Sequence, residues 1–176
     1  MEQDAAAAWE SFRAHRHEVL NGLQMVKAYL QMGRGEDAHA WVNRLAAWLH
    51  SLSLWQARLE AEDHEVLWAV ARCPRVTAVE LWPKRKLARP LAAALADAWR
   101  WLDEQAAAHN TACVWVRGEA VVSGADGIEQ VRLHLEASGG PSFPLADAPT
   151  HANPRVALHW VSSIKAHPGG KRHVCR

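Results

Sequence analysis

Six residues dictate the geometry of the second quarter of the chain. Trp41, Leu45, Trp48, Leu52, Trp55 and Leu59 follow one another in steps of four and three without a break. Such steps keep side chains on one face of an α-helix, with Trp and Leu filling the two seam positions of a heptad. The spacing predicts a helix from about Glu36 to Glu62, packed along its length. A less regular stripe precedes it, made of Trp9, Phe12, Val19, Leu23, Val26 and Leu30, with Arg16 counted in the seam. It predicts a first helix from about Asp4 to Met32, roughly 43 Å long at ~1.5 Å per residue. Gly33-Arg34-Gly35-Glu36 reads as the turn between them, with Gly33 as C-terminal cap and acidic Glu36 and Asp37 favouring the second helix start. Two helices joined this tightly form an antiparallel hairpin. A hairpin encloses no core, so both stripes must be buried against something more. A second copy is the simplest partner, giving a symmetric, dimeric four-helix bundle.

The face of the first helix away from its stripe is polar. At ~100° per residue, His17 projects roughly 140° from the stripe's centre. Asn21 lies one turn on, and Arg13 and Gln24 share that side. A histidine on a helix surface is most often simply solvated. Here Glu18 follows it directly, and a carboxylate can fix an imidazole tautomer and leave the other ring nitrogen nucleophilic. An amide one turn away, Asn21, can orient an incoming phosphoryl oxygen.

His17-Glu18-x-x-Asn21, followed by Leu23-Gln24-Met25-Val26 and Leu30-Gln31-Met32-Gly33, resembles the phospho-acceptor helix of the sporulation-initiation phosphotransferase B family. It is also similar to the acceptor helices of citrate/malate-type sensor histidine kinases. The usual pattern there is Arg-His-Asp-x-x-Asn-x-Leu-Gln. This chain departs from it with Glu18 in place of the commoner Asp, and with Gly22 where a bulkier residue is frequent. Glu18 keeps the carboxylate, whereas a mid-helix glycine costs about 1 kcal/mol relative to alanine. The close likeness covers residues 13–45; beyond that it is architectural. It implies a hairpin that dimerises into a bundle with His17 on the outside. It also implies transfer of phosphate through His17, with Glu18 and Asn21 assisting and Arg13, Arg16 and Gln24 meeting the partner.

After Glu62 the pattern changes. Asp63 to Ala71 reads as a short helix closed by Cys73-Pro74, and Val76 to Trp82 as a strand. Pro90 suits the first turn of a long helix over Leu91 to His109. Ala112 to Arg117 and Ala120 to Ser123 read as two strands joined by a tight Gly118-Glu119 turn. Gly124-Ala125-Asp126-Gly127 reads as a second turn, Ile128 to Ala137 as a strand, and Arg155 to Ile164 as a last one. The fold class is therefore α+β. The expected division is 1–63 for the helical hairpin, 64–166 for a degenerate histidine-kinase-like α/β sandwich, and 167–176 for a frayed tail.

A kinase of this kind carries an Asn on its long helix for magnesium and an Asp-x-Gly-x-Gly loop for adenine. This chain has Asp97 at the first place and Glu136-Ala137-Ser138-Gly139-Gly140 at the second. No other phosphate-binding glycine motif occurs. Lys84, Arg85 and Lys86 form a basic loop that reads best as a solvated one. No ATP and no bound cofactor are therefore expected, and the Mg2+ of the reaction is expected in a partner receiver domain.

Composition sets the remaining bounds. A formal net charge of +1 lacks the basic excess of a general nucleic-acid binder. No apolar run approaches the ~20 residues of a bilayer span, so a cytoplasmic protein away from membranes is expected. Cys73, Cys113 and Cys175 are scattered and odd in number, which supports neither a disulfide framework nor a zinc site. His15 and His17, two apart, lie on different helix faces and make a poor metal pair. The sequence thus points to a homodimeric phosphotransferase working between response-regulator receiver domains. The rival readings are an ATP-dependent histidine kinase core and a non-enzymatic dimerisation module.

Overall fold

The computed structural model describes residues 2–81, 86–122, 128–137, 143–145 and 155–161. It is an α+β protein whose helical N-terminus leads into a four-stranded mixed sheet. Helix α1 spans Glu2–Gln31 and helix α2 spans Gly35–Gln56. Gly33 closes α1 at φ +71, and the Arg34 N–H reaches back to the Tyr29 carbonyl at 2.9 Å. That is the left-handed cap that glycine adopts without strain. Gly22 faces Leu45, and His15 faces Trp48. Contacts therefore move back along α1 as they move forward along α2.

Gly22 is buried at this crossing, where an added Cβ would sit 3.4 Å from Leu45 Cδ1. Its propensity cost is set against a close approach of the two helices.

The second helix ends earlier than its periodicity predicted, at Gln56 rather than Glu62. The cause is tertiary. Arg58 turns inward, and its Nε and Nη2 donate to the Leu81 carbonyl at 3.3 and 3.1 Å, while its own carbonyl accepts from the Leu87 N–H at 2.7 Å. A 3₁₀ turn, Ala61–Asp63, and a short helix α3, His64–Ala71, follow.

Strand β1, Val76–Leu81, lies at one edge of the sheet. Helix α4, Arg89–Ala108, crosses over to strand β2, Val114–Val122, which pairs parallel with β1. Strand β3, Ile128–Ala137, runs antiparallel to β2, and β4, Val156–Trp160, runs parallel to β3. The edge at β1 is covered from α2, because the Ala78 N–H donates to Ser51 Oγ at 2.9 Å. Val79 bulges out of the register beside it. A covered or bulged edge cannot template pairing with another chain.

The expected Gly118-Glu119 turn does not form. Both residues lie inside β2, and Gly118 pairs with Leu81 on one side and Leu133 on the other. A Cβ there would stand 3.1 Å from Leu81 Cδ2, so the glycine admits two leucines rather than reversing the chain. The last expected strand, over 155–164, is found as β4; residues 162–164 lie outside the described residues, as do the turn at 124–127 and the tail at 167–176.

One core runs through the molecule. Val114, Val116, Leu133 and Leu135 on one sheet face bury with Leu95, Trp99 and Leu102 of α4, with Trp55 near the end of α2, and with Leu59 just beyond it. Trp55 and Trp99 meet edge-on at 5.2 Å, a favoured aromatic arrangement. The other sheet face carries Glu80 paired with Arg117 at 3.5 Å and His134 with Glu119 at 3.2 Å. Among the described residues no helix is long and apolar enough to cross a membrane.

Candidate functional site on helix α1

Helix α1 is 30 residues long, and only one side of it is covered by the rest of the chain. Its body-facing side carries His15 and Gly22. Arg13, His17 and Asn21 form a row at four-residue spacing on the outward side, and Gln24 continues it. All four are exposed. Arg16 is exposed as well, so in a single subunit it stands in water rather than in a seam.

Among the described residues His17 makes no hydrogen bond or ion pair. Its ring is open to a large partner and shielded from none. Glu18 is exposed too, but it lies ~100° round the helix from His17, on the side nearer α4. Its charge is felt there by Asp103. Burial is the main cause that raises the Asp103 carboxyl above its ordinary 3.8, the Arg75 N–H and guanidinium lower it, and Glu18 raises it further. Asp103 accepts the Arg75 N–H at 2.8 Å and pairs with its guanidinium at 3.5 Å. Glu18 thus bears on a half-enclosed carboxylate of α4 through its charge, and no hydrogen bond joins it to His17.

Beside the polar row much of the apolar stripe of α1 is uncovered, while Val19 and Val26 are half-buried. Trp9 is 68% exposed, Phe12 43%, Leu23 50% and Leu30 61%. Val42 and Leu49 of α2 are exposed in the same way. Apolar patches of this kind mark interaction surfaces.

Two features escaped the sequence reading. His39 and Asn43 on α2 repeat the His-x-x-x-Asn spacing of His17 and Asn21, and there the amide nitrogen lies 3.1 Å from Nδ1. The repeated spacing was the signal. An amide donating to Nδ1 leaves the proton on Nε2, which makes His39 a donor and a poorer nucleophile than an untied ring. The second feature is His15, whose ring sits 4.9 Å from Trp48 and 6.2 Å from Trp68.

The residues weighed for nucleotide are placed as follows. Asp97 is exposed on α4 and pairs with Arg100. Lys86 donates to the Leu59 carbonyl and pairs with Glu60 at 4.0 Å. Glu136 and Ala137 end β3, while 138–140, 84 and 85 lie outside the described residues. Cys73 and Cys113 are buried thiols. Burial first, and Asp103 after it, push Cys73 up to about 12, so it is neutral and inert at ordinary pH. Among the described residues no three His, Cys, Asp or Glu side chains gather as a metal-ligand group.

Chemically, α1 can present an imidazole, a guanidinium and an amide in one line on a rigid rod. It encloses nothing, so the remaining groups for a reaction must come from what docks on it. Comparison with protein-family models, with curated proteins and with solved structures finds no match to this chain.

Proposed function

We propose that the chain is a phosphorelay histidine phosphotransferase of the sporulation-initiation phosphotransferase B type, with His17 as the phosphoryl carrier. The observation that carries this reading is the exposed Arg13–His17–Asn21 row on a helix whose opposite side is anchored. A ring nitrogen of His17 attacks phosphorus of an aspartyl phosphate on a receiver domain; the N–P bond forms as the acyl P–O bond breaks, and the aspartate carboxylate leaves. Transfer to a second receiver runs the same step in reverse. Phosphoryl transfer of this kind is mostly alignment and charge stabilisation, which suits a site with no enclosure of its own. Arg13, Arg16 and Gln24 meet the receiver, Asn21 steadies a phosphoryl oxygen, and the Mg2+ belongs to the receiver's acidic pocket. Glu18 acts on His17 through charge across the helix surface.

The uncovered stripe supports a homodimer in which the α1–α2 hairpins of two copies close a four-helix bundle, leaving both His17 rings outside. The sheet and α4 then form a kinase-like unit that holds no ATP. A second reading has its own support: the same stripe serves a dimerisation module in which His17 carries nothing. Incubation with a phosphorylated receiver domain separates the two. The expected result is label on this chain that acid removes and alkali does not. Label that appears only with ATP and magnesium makes the protein a kinase, and no label from either source leaves the dimerisation module.

A further inference from the structure

Helix α3 ends at Ala71, and its last carbonyls need donors from outside the helix. The Ala69 carbonyl accepts the Arg72 N–H at 3.3 Å, and the Val70 carbonyl accepts the Cys73 N–H at 3.0 Å. The Ala71 carbonyl is met from α1, where His15 Nδ1 lies 3.3 Å away. A carbonyl only accepts, so Nδ1 carries the proton in this arrangement. The same ring also meets Trp48 of α2 at 4.9 Å and Trp68 of α3 at 6.2 Å, and Phe12 closes on Trp68 at 6.0 Å. One imidazole therefore ties α1 to two other helices.

The other body-facing contacts of α1, among them Phe12 on Trp68 and the half-buried Val19 and Val26, are apolar and have no such direction. Gly22 meets Leu45 without a side chain of its own, and a bare backbone against a methyl group scarcely resists rotation. His15 and His17 stand ~200° apart round the helix, so what holds one inward holds the other outward.

We propose that His15 is the positioning residue of α1. Its bond to the Ala71 carbonyl, made while the ring touches two indoles, sets the rotation of the helix about its own axis and keeps the Arg13–His17–Asn21 row outward. The functional half of this proposal rests on the reading of His17 as acceptor. An ordinary core residue would serve equally well as phenylalanine. A positioning residue needs its N–H, which asparagine supplies at about the place of Nδ1 with a helix propensity close to that of histidine.

The test uses the full chain as wild type, His15→Asn, His15→Phe and His15→Ala. Amide hydrogen exchange across residues 12–22 is expected to quicken ~tenfold in the Phe and Ala variants and to stay at the wild-type rate in His15→Asn. Equal exchange in all four overturns the proposal. Transfer from a phosphorylated receiver domain to His17 is expected to lose ~tenfold in kcat/KM in His15→Phe and to recover in His15→Asn. Direct labelling of His17 by phosphoramidate, which needs no docking, should be the same in each. A His15→Phe variant that transfers at the wild-type rate shows a structural residue and overturns the proposal. If wild type takes phosphate from no receiver, the phosphotransfer reading fails by itself, and the exchange pattern still decides whether His15 positions the helix.

Discussion

Trp99 and Trp9 are the same side chain in opposite circumstances. Trp99 is fully buried on α4, edge-on to Trp55, among the leucines and valines of the sheet. Trp9 stands 68% exposed on α1, edge-on to Phe12, which is itself exposed. The difference runs through the two halves of the molecule. The α/β half closes its core together with Trp55 and Leu59, down to an edge strand covered by Ser51 and a carbonyl held by Arg58. The first helix carries an apolar stripe of its own and leaves much of it in water. An open apolar stripe beside a closed core is what supports the proposed partner on the open side.

The largest expected effect contrasts the two tryptophans directly. Trp99→Ala should cost about 3–5 kcal/mol in denaturant unfolding, the range for a deleted core aromatic. Trp9→Ala should change the stability of a dilute subunit by less than ~0.5 kcal/mol while weakening self-association. Similar losses for both at high dilution would break the comparison.

The next effect sharpens it from the open side. In a lone subunit an aspartate replacing Leu23 is solvated, but between two subunits it is stranded, at a cost of ~2 kcal/mol or more. Sedimentation should show a wild-type dimer at micromolar concentration and a monomer for Leu23→Asp, both with unchanged helix content. A stable wild-type monomer would remove the second copy from the account.

On the closed side, Ser51→Ala leaves the buried Ala78 N–H without its acceptor. That should lower stability by ~1–3 kcal/mol with no change in denaturant slope. A neutral result would mean that the edge of β1 needs no cover from α2.

The smallest effect lies at the seam between the halves. Asp103 is raised above its ordinary 3.8, chiefly by burial and further by Glu18. An acid raised on folding binds its proton more tightly in the folded state. Its stabilisation is complete below 3.8 and is lost as pH rises through the folded value. Asparagine can still accept the Arg75 N–H, so wild type should lose stability relative to Asp103→Asn across that acid window and run parallel to it above. Unfolding free energies measured across that window for both proteins check the sign. A wild type that gains on the variant as pH rises would contradict it.

Those seams also mark where the sequence stopped being legible. Helices α1 and α2 could be read because their faces repeat every three or four residues, and the His17 row followed from the same arithmetic. The end of α2 could not, since Arg58 leaves the helix to reach Leu81, a contact no local pattern encodes. Gly118-Glu119 between two apolar runs has the look of a turn, and only the leucines on neighbouring strands make it strand. Glu18 reads as a neighbour of His17 until the fold brings Asp103 within reach of its charge. His15 reads as a bystander until α3 ends against it.

The claim that binds these observations is that phosphate travels through His17. Its most direct measurement is the site of label after incubation with a phosphorylated receiver domain, mapped by mass spectrometry in wild type and His17→Gln. His17 is exposed and, among the described residues, makes no hydrogen bond or ion pair that its replacement would break, so the variant should fold and associate as wild type does. Label on His17 in wild type and none in a folded His17→Gln is the predicted result. Label that persists in His17→Gln, on His39 or elsewhere, would contradict it.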